Sequence, residues 1–370
     1  MSISELTTLN EVRPPIFPFS CIAHRPDSTV EYYEDYKNIG RKYALLKRYD
    51  LAKDVIQAGI DALPSAGGGL QLKGVFTVLS GLAIDRDYVK IIGEGRQRTL
   101  LDFSTAPAGS LFTLGNGTTR REAIELSDLS MKGRNSGAYA QTAINIDYCR
   151  RLRFANLEIY YFAGTDMYAV EGRMSDALIF DSSFWNNANN LMINGASSNT
   201  ANKIIANYFF LSAGSTGYHI DVQAGSTLNR IIGNLFEGSQ NRARIAANNN
   251  VFGLNSFEVN SGATDLNIAG SGHIVVGNNF TNTVTTTATA SLLKHNVGYV
   301  TENSGTGTGN GAQQTIAHGC NFTPTYDQVF LSERATGGAL ARQTAAPDAA
   351  NIYVTATNAK DYNWKVSQLP

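Results

Sequence analysis

Short apolar pairs alternate with polar residues through the middle of the chain, and the alternation recurs as a phrase. Ile204-Ile205, Ile231-Ile232 and Val275-Val276 stand just before Asn207-Tyr208-Phe209, Asn234-Leu235-Phe236 and Asn278-Asn279-Phe280, and Asn255-Ser256-Phe257 is a further copy. Ser182-Ser183-Phe184 is a weaker version, while Asp128-Leu129 and Asn156-Leu157 repeat it in a slightly shifted register. Successive Phe residues at 184, 209, 236, 257 and 280 are 25, 27, 21 and 23 residues apart. A second ladder runs through AINID, YAVEG, LMING, YHIDV, ARIAA and DLNIA, and stacks Ile146, Val170, Ile193, Ile220, Ile245 and Ile268.

Two ladders with a shared mean period of about 24 residues predict a solenoid of short parallel strands, one coil per repeat. Coils would stack at about 4.8 Å, the ordinary spacing between strands. One coil cannot bury its own apolar side, but stacked coils share a core of Ile, Val and Phe. The Asn before each Phe fits a tight corner, because Asn tolerates the left-handed conformation and its amide can bond the next coil.

Composition agrees. The chain has 370 residues, 35 of them Gly, and only 16% are charged, which suits short strands and turns better than long helices. A net charge of −1 gives no whole-molecule field for nucleic acid or an anionic membrane. Cys21, Cys149 and Cys320 are too few and too scattered for a zinc site or a disulfide framework. No run of eighteen apolar residues is present. MSISELTTLNEVRPPIFPF has neither a basic n-region nor an apolar h-region, so a secretory signal is not expected there.

The Asn-x-Phe phrases, together with DLAKDVIQAGIDALPSAGGGLQLKGVFTV (50–78) and VKIIGEGRQRTLLDF (89–103), resemble the right-handed parallel β-helix of the pectate-lyase-like superfamily. In such proteins an amphipathic helix covers the open end of the core. Here Leu51, Val55, Ile56, Ile60 and Leu63 give residues 50–63 one apolar face, Asp50 is a candidate N-cap, and Pro64 with Gly67-Gly68-Gly69 ends the helix. The expected organisation is therefore an N-terminal attachment or capping segment at 1–49, with Val30–Asp50 read as helical. A parallel β-helix at 50–300, a Gly/Thr-rich linker at 301–314 and a small C-terminal β-sandwich at 315–370 follow it. The last segment is similar to modules appended to β-helices in phage and carbohydrate-active proteins, with trimerisation or glycan contact as its role.

Neighbours of an inward strand residue point outward. The second ladder thus predicts an outward column of Asp147, Glu171, Asn194 and Asp221, with His219 and Arg244 beside it. Coil spacing would put Asp147 and Glu171 about 5–6 Å apart and Glu171 and Asp221 about 9–10 Å apart. A retaining glycosidase needs carboxyls about 5 Å apart, an inverting one about 6.5–9.5 Å. Asp147, Glu171 and Asp221 are accordingly the candidate catalytic residues, and His219, Arg244 and Asn194 the candidate substrate-binding ones. His219 and Arg244 could orient a sugar or receive a uronate carboxylate. No metal ligand set is assigned, although the lyase chemistry implied by the resemblance would use Ca²⁺ held by the three acids, with Arg244 as the base. A merely solvated face explains the same acids equally well, and Asp128, Glu158, Asp166, Asp176, Asp181, Glu237 and Glu258 are other acids on the coils. Tyr160, Tyr161, Trp185 and Tyr218 could stack on sugars or simply pack.

Proteins of this superfamily mostly meet polysaccharide, an inference by analogy of fold. The absence of an export signal and the order of segments are similar to those of a phage tailspike, which leaves its host by lysis. The expectation is a homotrimeric virion protein, joined to the tail or baseplate through its N-terminal segment, that binds and depolymerises a host surface polysaccharide by hydrolysis or lysis. Two alternatives stay open: a non-catalytic structural or glycan-binding β-helix, and a cell-envelope lyase, hydrolase or epimerase acting at the cell surface. Neither nucleic acid nor membrane insertion is expected.

Overall fold

A computed structural model describes residues 19–24, 30–35, 44–49 and 52–368, apart from 137, 165–166, 195–198, 213–214, 259–261 and 335–340, with side chains from residue 56 onward except that of 333. The chain is a right-handed parallel β-helix of about eight turns, with a short N-terminal helix and small antiparallel sheets at the C-terminal end. Each coil contributes one strand to a first sheet and a bent pair to a second. In the first sheet, Gln141–Arg150, Tyr168–Ser175, Asn189–Ile193, Ile220–Val222, Asn241–Ile245 and Thr264–Ile268 pair in parallel, each with the next. In the second, Lys203–Ile205 and Tyr208–Leu211 pair with Arg230–Ile232 and Leu235–Gly238 of the following coil.

The Phe ladder holds in register: Phe184, Phe209, Phe236, Phe257 and Phe280 are buried, with successive centroids 4.9, 5.3, 4.8 and 5.3 Å apart. Stacking of this kind adds about 0.5–1.5 kcal/mol per pair beyond the burial of area. Beside it the Asn amides form a continuous chain along the axis. Asn207, Asn234, Asn255 and Asn278 each donate Nδ2–H to the Oδ1 of the next member, ending on Asn296, at 3.1, 3.0, 3.0 and 2.9 Å. Each Oδ1 also accepts the backbone N–H of the preceding Asn, so no buried amide is left over. Ser182 starts the chain, its N–H donating to Asn207.

One detail of the corner differs from expectation. The left-handed residue is the one before each ladder Asn (Ala206, Gly233, Leu254, Gly277 and His295), while the Asn itself turns its amide inward. The strained φ and the buried amide are thus divided between two neighbours.

The helix spans Ala52–Ala62, with Ile56 and Ile60 buried, as is Leu63 just beyond it. Gln57 bonds both the N–H and the C=O of Ala83, on the first strand of the first sheet, and so occupies an otherwise open edge. Val30–Asp35 and Ala44–Tyr49, read as helical, are strands: with Phe19–His24 they form an antiparallel meander that joins the second sheet along Gly68–Thr77. Val30, Tyr32 and Tyr33 favour extended backbone, and pairing at the sheet end selects it. The remainder of 1–49 lies outside the described residues.

The segment 301–314 is not a linker. Glu302–Thr308 is a strand paired antiparallel with Asp361–Ser367, which also pairs with Val329–Glu333. Gly305 lies opposite Trp364 and Gly307 opposite Tyr362, and a Cβ on either would stand 2.8 or 2.4 Å from those rings. The glycines make room for aromatic side chains across the strand. A second sheet of Gln313–Ala317, Asn351–Thr355 and Arg342–Ala345 completes the module, whose core includes Val329, Ile352, Val354, Tyr362, Trp364 and Val366.

Candidate functional site

The first sheet carries the predicted column, in a different register. Ile144, not Ile146, pairs with Val170, and Ile146 pairs with Gly172. Gly172 has φ +134°, and a Cβ there would meet the Ile146 carbonyl oxygen at 2.0 Å. That position takes no side chain, so aligning the chain by its Ile and Val residues slips by two. The outward column is Asn145, Glu171, Met192, Asp221, Arg244 and Asn267.

Glu171 and Asp221 therefore do share a column, two coils apart with Met192 between them. Asp147 does not. It stands in a bulge, where Asp147 and Tyr148 together oppose Arg173, and Tyr148 has φ +75°. Its Oδ1 accepts Arg173 Nη2–H at 2.6 Å, and the same Nη2 donates to the Gly117 carbonyl at 3.0 Å. Asn194 lies one position beyond Ile193, in the row of Arg173, outside the column of Glu171 and Asp221.

His219 faces inward. It precedes the strand Ile220–Val222, at the corner where the coil enters the sheet, and is 0% exposed. Its ring lies between Phe209 and Phe236, with centroids 6.3 and 5.8 Å away, and its Nδ1 meets Asn190 Nδ2 at 3.0 Å. Burial, with Arg242 adding to it, pushes its pKa down to about 3 and keeps it neutral. It cannot touch a ligand on the surface, so the expected substrate-binding role is withdrawn.

Asp221 is also sealed, by partners of its own. Arg244 donates Nε–H to Oδ1 at 2.7 Å and Nη2–H to Oδ2 at 2.5 Å, and the Tyr168 hydroxyl donates to Oδ2 at 2.8 Å. The phenol of Tyr168 is raised well above its ordinary pKa by burial and by the Asp221 charge, so it remains a donor. Arg244 also lies over the Tyr218 ring, 4.7 Å from its centroid. Tyr168 was not anticipated: its partner is 53 residues away, and no local pattern announces the contact.

Beside this network is an open cleft of about 730 Å³, lined by Tyr168, Asn189, Met192, Tyr218, Gln223 and Arg244, together with Gly164, Ala188 and Ser215-Thr216-Gly217. One coil from Met192, Glu171 accepts a hydrogen bond from Thr142 Oγ1 at 3.2 Å. Burial raises its carboxyl above the ordinary glutamate range, the Thr142 bond opposing the shift in part. A half-exposed carboxyl displaced in that direction can hold a proton for transfer.

The other aromatic candidates are differently placed. Tyr160 and Trp185 stack on each other at 4.4 Å with planes 2° apart, so the faces they share are closed to a sugar. Trp185 Nε1–H points to Glu158 Oε1 at 3.3 Å. Among the described residues no group of three or more His, Cys, Asp or Glu side chains could hold a metal ion. No helix among them is long and apolar enough to cross a membrane.

No family model and no curated protein matches the chain. Among solved structures, ORF18 of Geobacillus virus E2 is similar over 96% of this chain and 88% of its own, with a TM-score of 0.58 and 13% identity. The DFA-IIIase from Arthrobacter chlorophenolicus A6 without its lid is similar over 67% of this chain and 85% of its own, with a TM-score of 0.51 and 16% identity. The Dettilon tailspike protein covers 85% of this chain with 92% of its own, at a TM-score of 0.44 and 11% identity. Similarity at such identities is a likeness of fold, the right-handed parallel β-helix found above in the strand pairing.

Proposed function

We propose that this chain is a tailspike-like virion protein that binds a host surface polysaccharide in the cleft beside Tyr168, Tyr218 and Arg244. One observation carries the reading: an open cleft of about 730 Å³ with two tyrosines, a methionine, two side-chain amides and a guanidinium on its walls. Sugars need apolar and aromatic surface for their C–H faces and fixed polar groups for their hydroxyls. The cleft lies on a stack of coils, so an extended chain along the axis would cross it and continue over Glu171. Assembly as a homotrimer and attachment to the tail through 1–49 belong to the same proposal.

Cleavage is a second reading, favoured by Glu171. In the observed register Asp147 is its diagonal neighbour, with Cα atoms roughly 8 Å apart by strand geometry, and an inverting pair needs its carboxyl groups about 6.5–9.5 Å apart. Glu171 would protonate the glycosidic oxygen, and Asp147, held by Arg173, would take the proton of the attacking water. Mixing the protein with capsular and exopolysaccharides and following polymer size by chromatography tests both readings. Retention of a polymer without shortening supports binding alone. Shortening that is lost in E171Q and in D147N supports cleavage. Neither retention nor shortening across a host-matched panel refutes the proposal.

A further inference from the structure

Arg244 and Asp221 form an ion pair whose two members differ sharply in exposure, 38% for the guanidinium and 0% for the carboxylate. The pair has no net charge, but it is oriented, with its positive end at the cleft wall and its negative end beneath. Among the described residues lining the cleft, Arg244 is the single cation and there is no acid. Among the described lining residues, a ligand in the cleft thus meets the positive end of the pair with no carboxylate beside it.

The hydrogen bonding points the same way. A guanidinium has five N–H donors and two edges able to bind a carboxylate side by side. Asp221 takes the edge formed by Nε and Nη2. Nη1 makes no hydrogen bond among the described residues, and none of them occupies the edge formed by Nη1 and Nη2. The group cannot swing away to find other partners, because the Tyr218 ring lies against it and Asp221 is itself fixed by Tyr168. A donor edge held in place before the ligand arrives loses little entropy on binding.

We infer that the cleft selects a polysaccharide whose repeat carries a carboxylate, received by the Nη1/Nη2 edge of Arg244, with Asp221 and Tyr168 as positioning residues. The inference rests on the glycan-binding reading above and adds the class of sugar. It also gives Asp221 a task that does not require it to reach substrate.

Affinity electrophoresis of the full chain in native gels containing polygalacturonate, hyaluronate, their carboxyl-reduced forms or dextran tests it. The acidic polymers should bind about tenfold more tightly than their reduced forms, the yield of one charge-assisted bidentate contact. R244Q should bring that ratio to about one, R244K should restore part of it, and D221N should lower it without weakening binding of the reduced polymers. Circular dichroism of each variant keeps loss of selectivity apart from loss of fold, and R244K retains the charge should R244Q fail to fold. Equal binding of acidic and reduced polymers, or a ratio unchanged in R244Q, overturns the inference while the glycan-binding reading stands. Binding to none of the polymers overturns the inference, and the host-matched panel described above decides the glycan-binding reading.

Discussion

Asp221, with no exposed surface, grips Arg244 through bonds of 2.7 and 2.5 Å, and the gripped residue is the one that reaches solvent. The consequences of breaking the pair should be unequal. R244A strands a buried carboxylate with only the Tyr168 hydroxyl, which should cost about 3 kcal/mol. D221N leaves a neutral amide below and a cation that can turn to water, at about 1 kcal/mol. Urea titration of the two variants checks the order. Equal costs would mean that the carboxylate is far better hydrated than its burial shows.

Asn234 is the middle of the amide chain. Its Oδ1 accepts from the N–H and Nδ2 of Asn207, and its own Nδ2 donates to Asn255 and to the Ile204 carbonyl. N234A leaves several buried groups unpartnered at about 1–3 kcal/mol each, so a loss of about 3 kcal/mol or more is expected. N296A, at the end of the chain of amides, should cost less. Thermal melting of both decides whether the ladder is as continuous energetically as it is geometrically.

Glu171 gives a pH signature. Its folded-state pKa is raised, so between the unfolded value near 4.5 and the folded value the native state binds more protons. Stability should fall as pH rises through that window, with the full penalty present above it and none below. E171Q should therefore raise the melting temperature at pH 7 to 8 and leave it unchanged near pH 4. A gain that is the same at every pH would assign the effect to packing rather than to charge.

In the C-terminal module, G305A places a methyl 2.8 Å from the Trp364 ring. The ring must move, and overpacking of this kind costs about 1–3 kcal/mol. Trp185 and Trp364 are the two tryptophans of the chain, so in a W185F background the fluorescence reports Trp364 alone. A shifted emission maximum and an earlier melt are expected, and unchanged emission would contradict the close approach.

The second sheet was readable because Asn234-Leu235-Phe236 and its relatives place a buried amide and a buried ring at fixed offsets, two signals that constrain each other. The first sheet offered only apolar alternation, which cannot tell Ile144 from Ile146 once Gly172 removes a side chain from one rung. That slip of two residues left Glu171 and Asp221 in one column and put Asp147 outside it. His219 was misplaced for another reason: alternation holds inside a strand, and His219 sits just before one. Glycine-rich 303–314 reads as flexible unless the rings of Tyr362 and Trp364, some 55 residues on, are known to lie above it.

The intervals between successive members of the amide ladder are 27, 21, 23 and 18 residues, yet the amides meet with nearly constant geometry. All of that variation is absorbed away from the corner, including the turns that rim the cleft, such as the one holding Ser215, Thr216 and Gly217. The support and the rim of the cleft are thus written in separable parts of each coil. A lineage could trade rims without renegotiating the scaffold. An engineer could likewise graft a foreign turn between Leu211 and Tyr218, short of the buried His219, and expect the shaft to tolerate it.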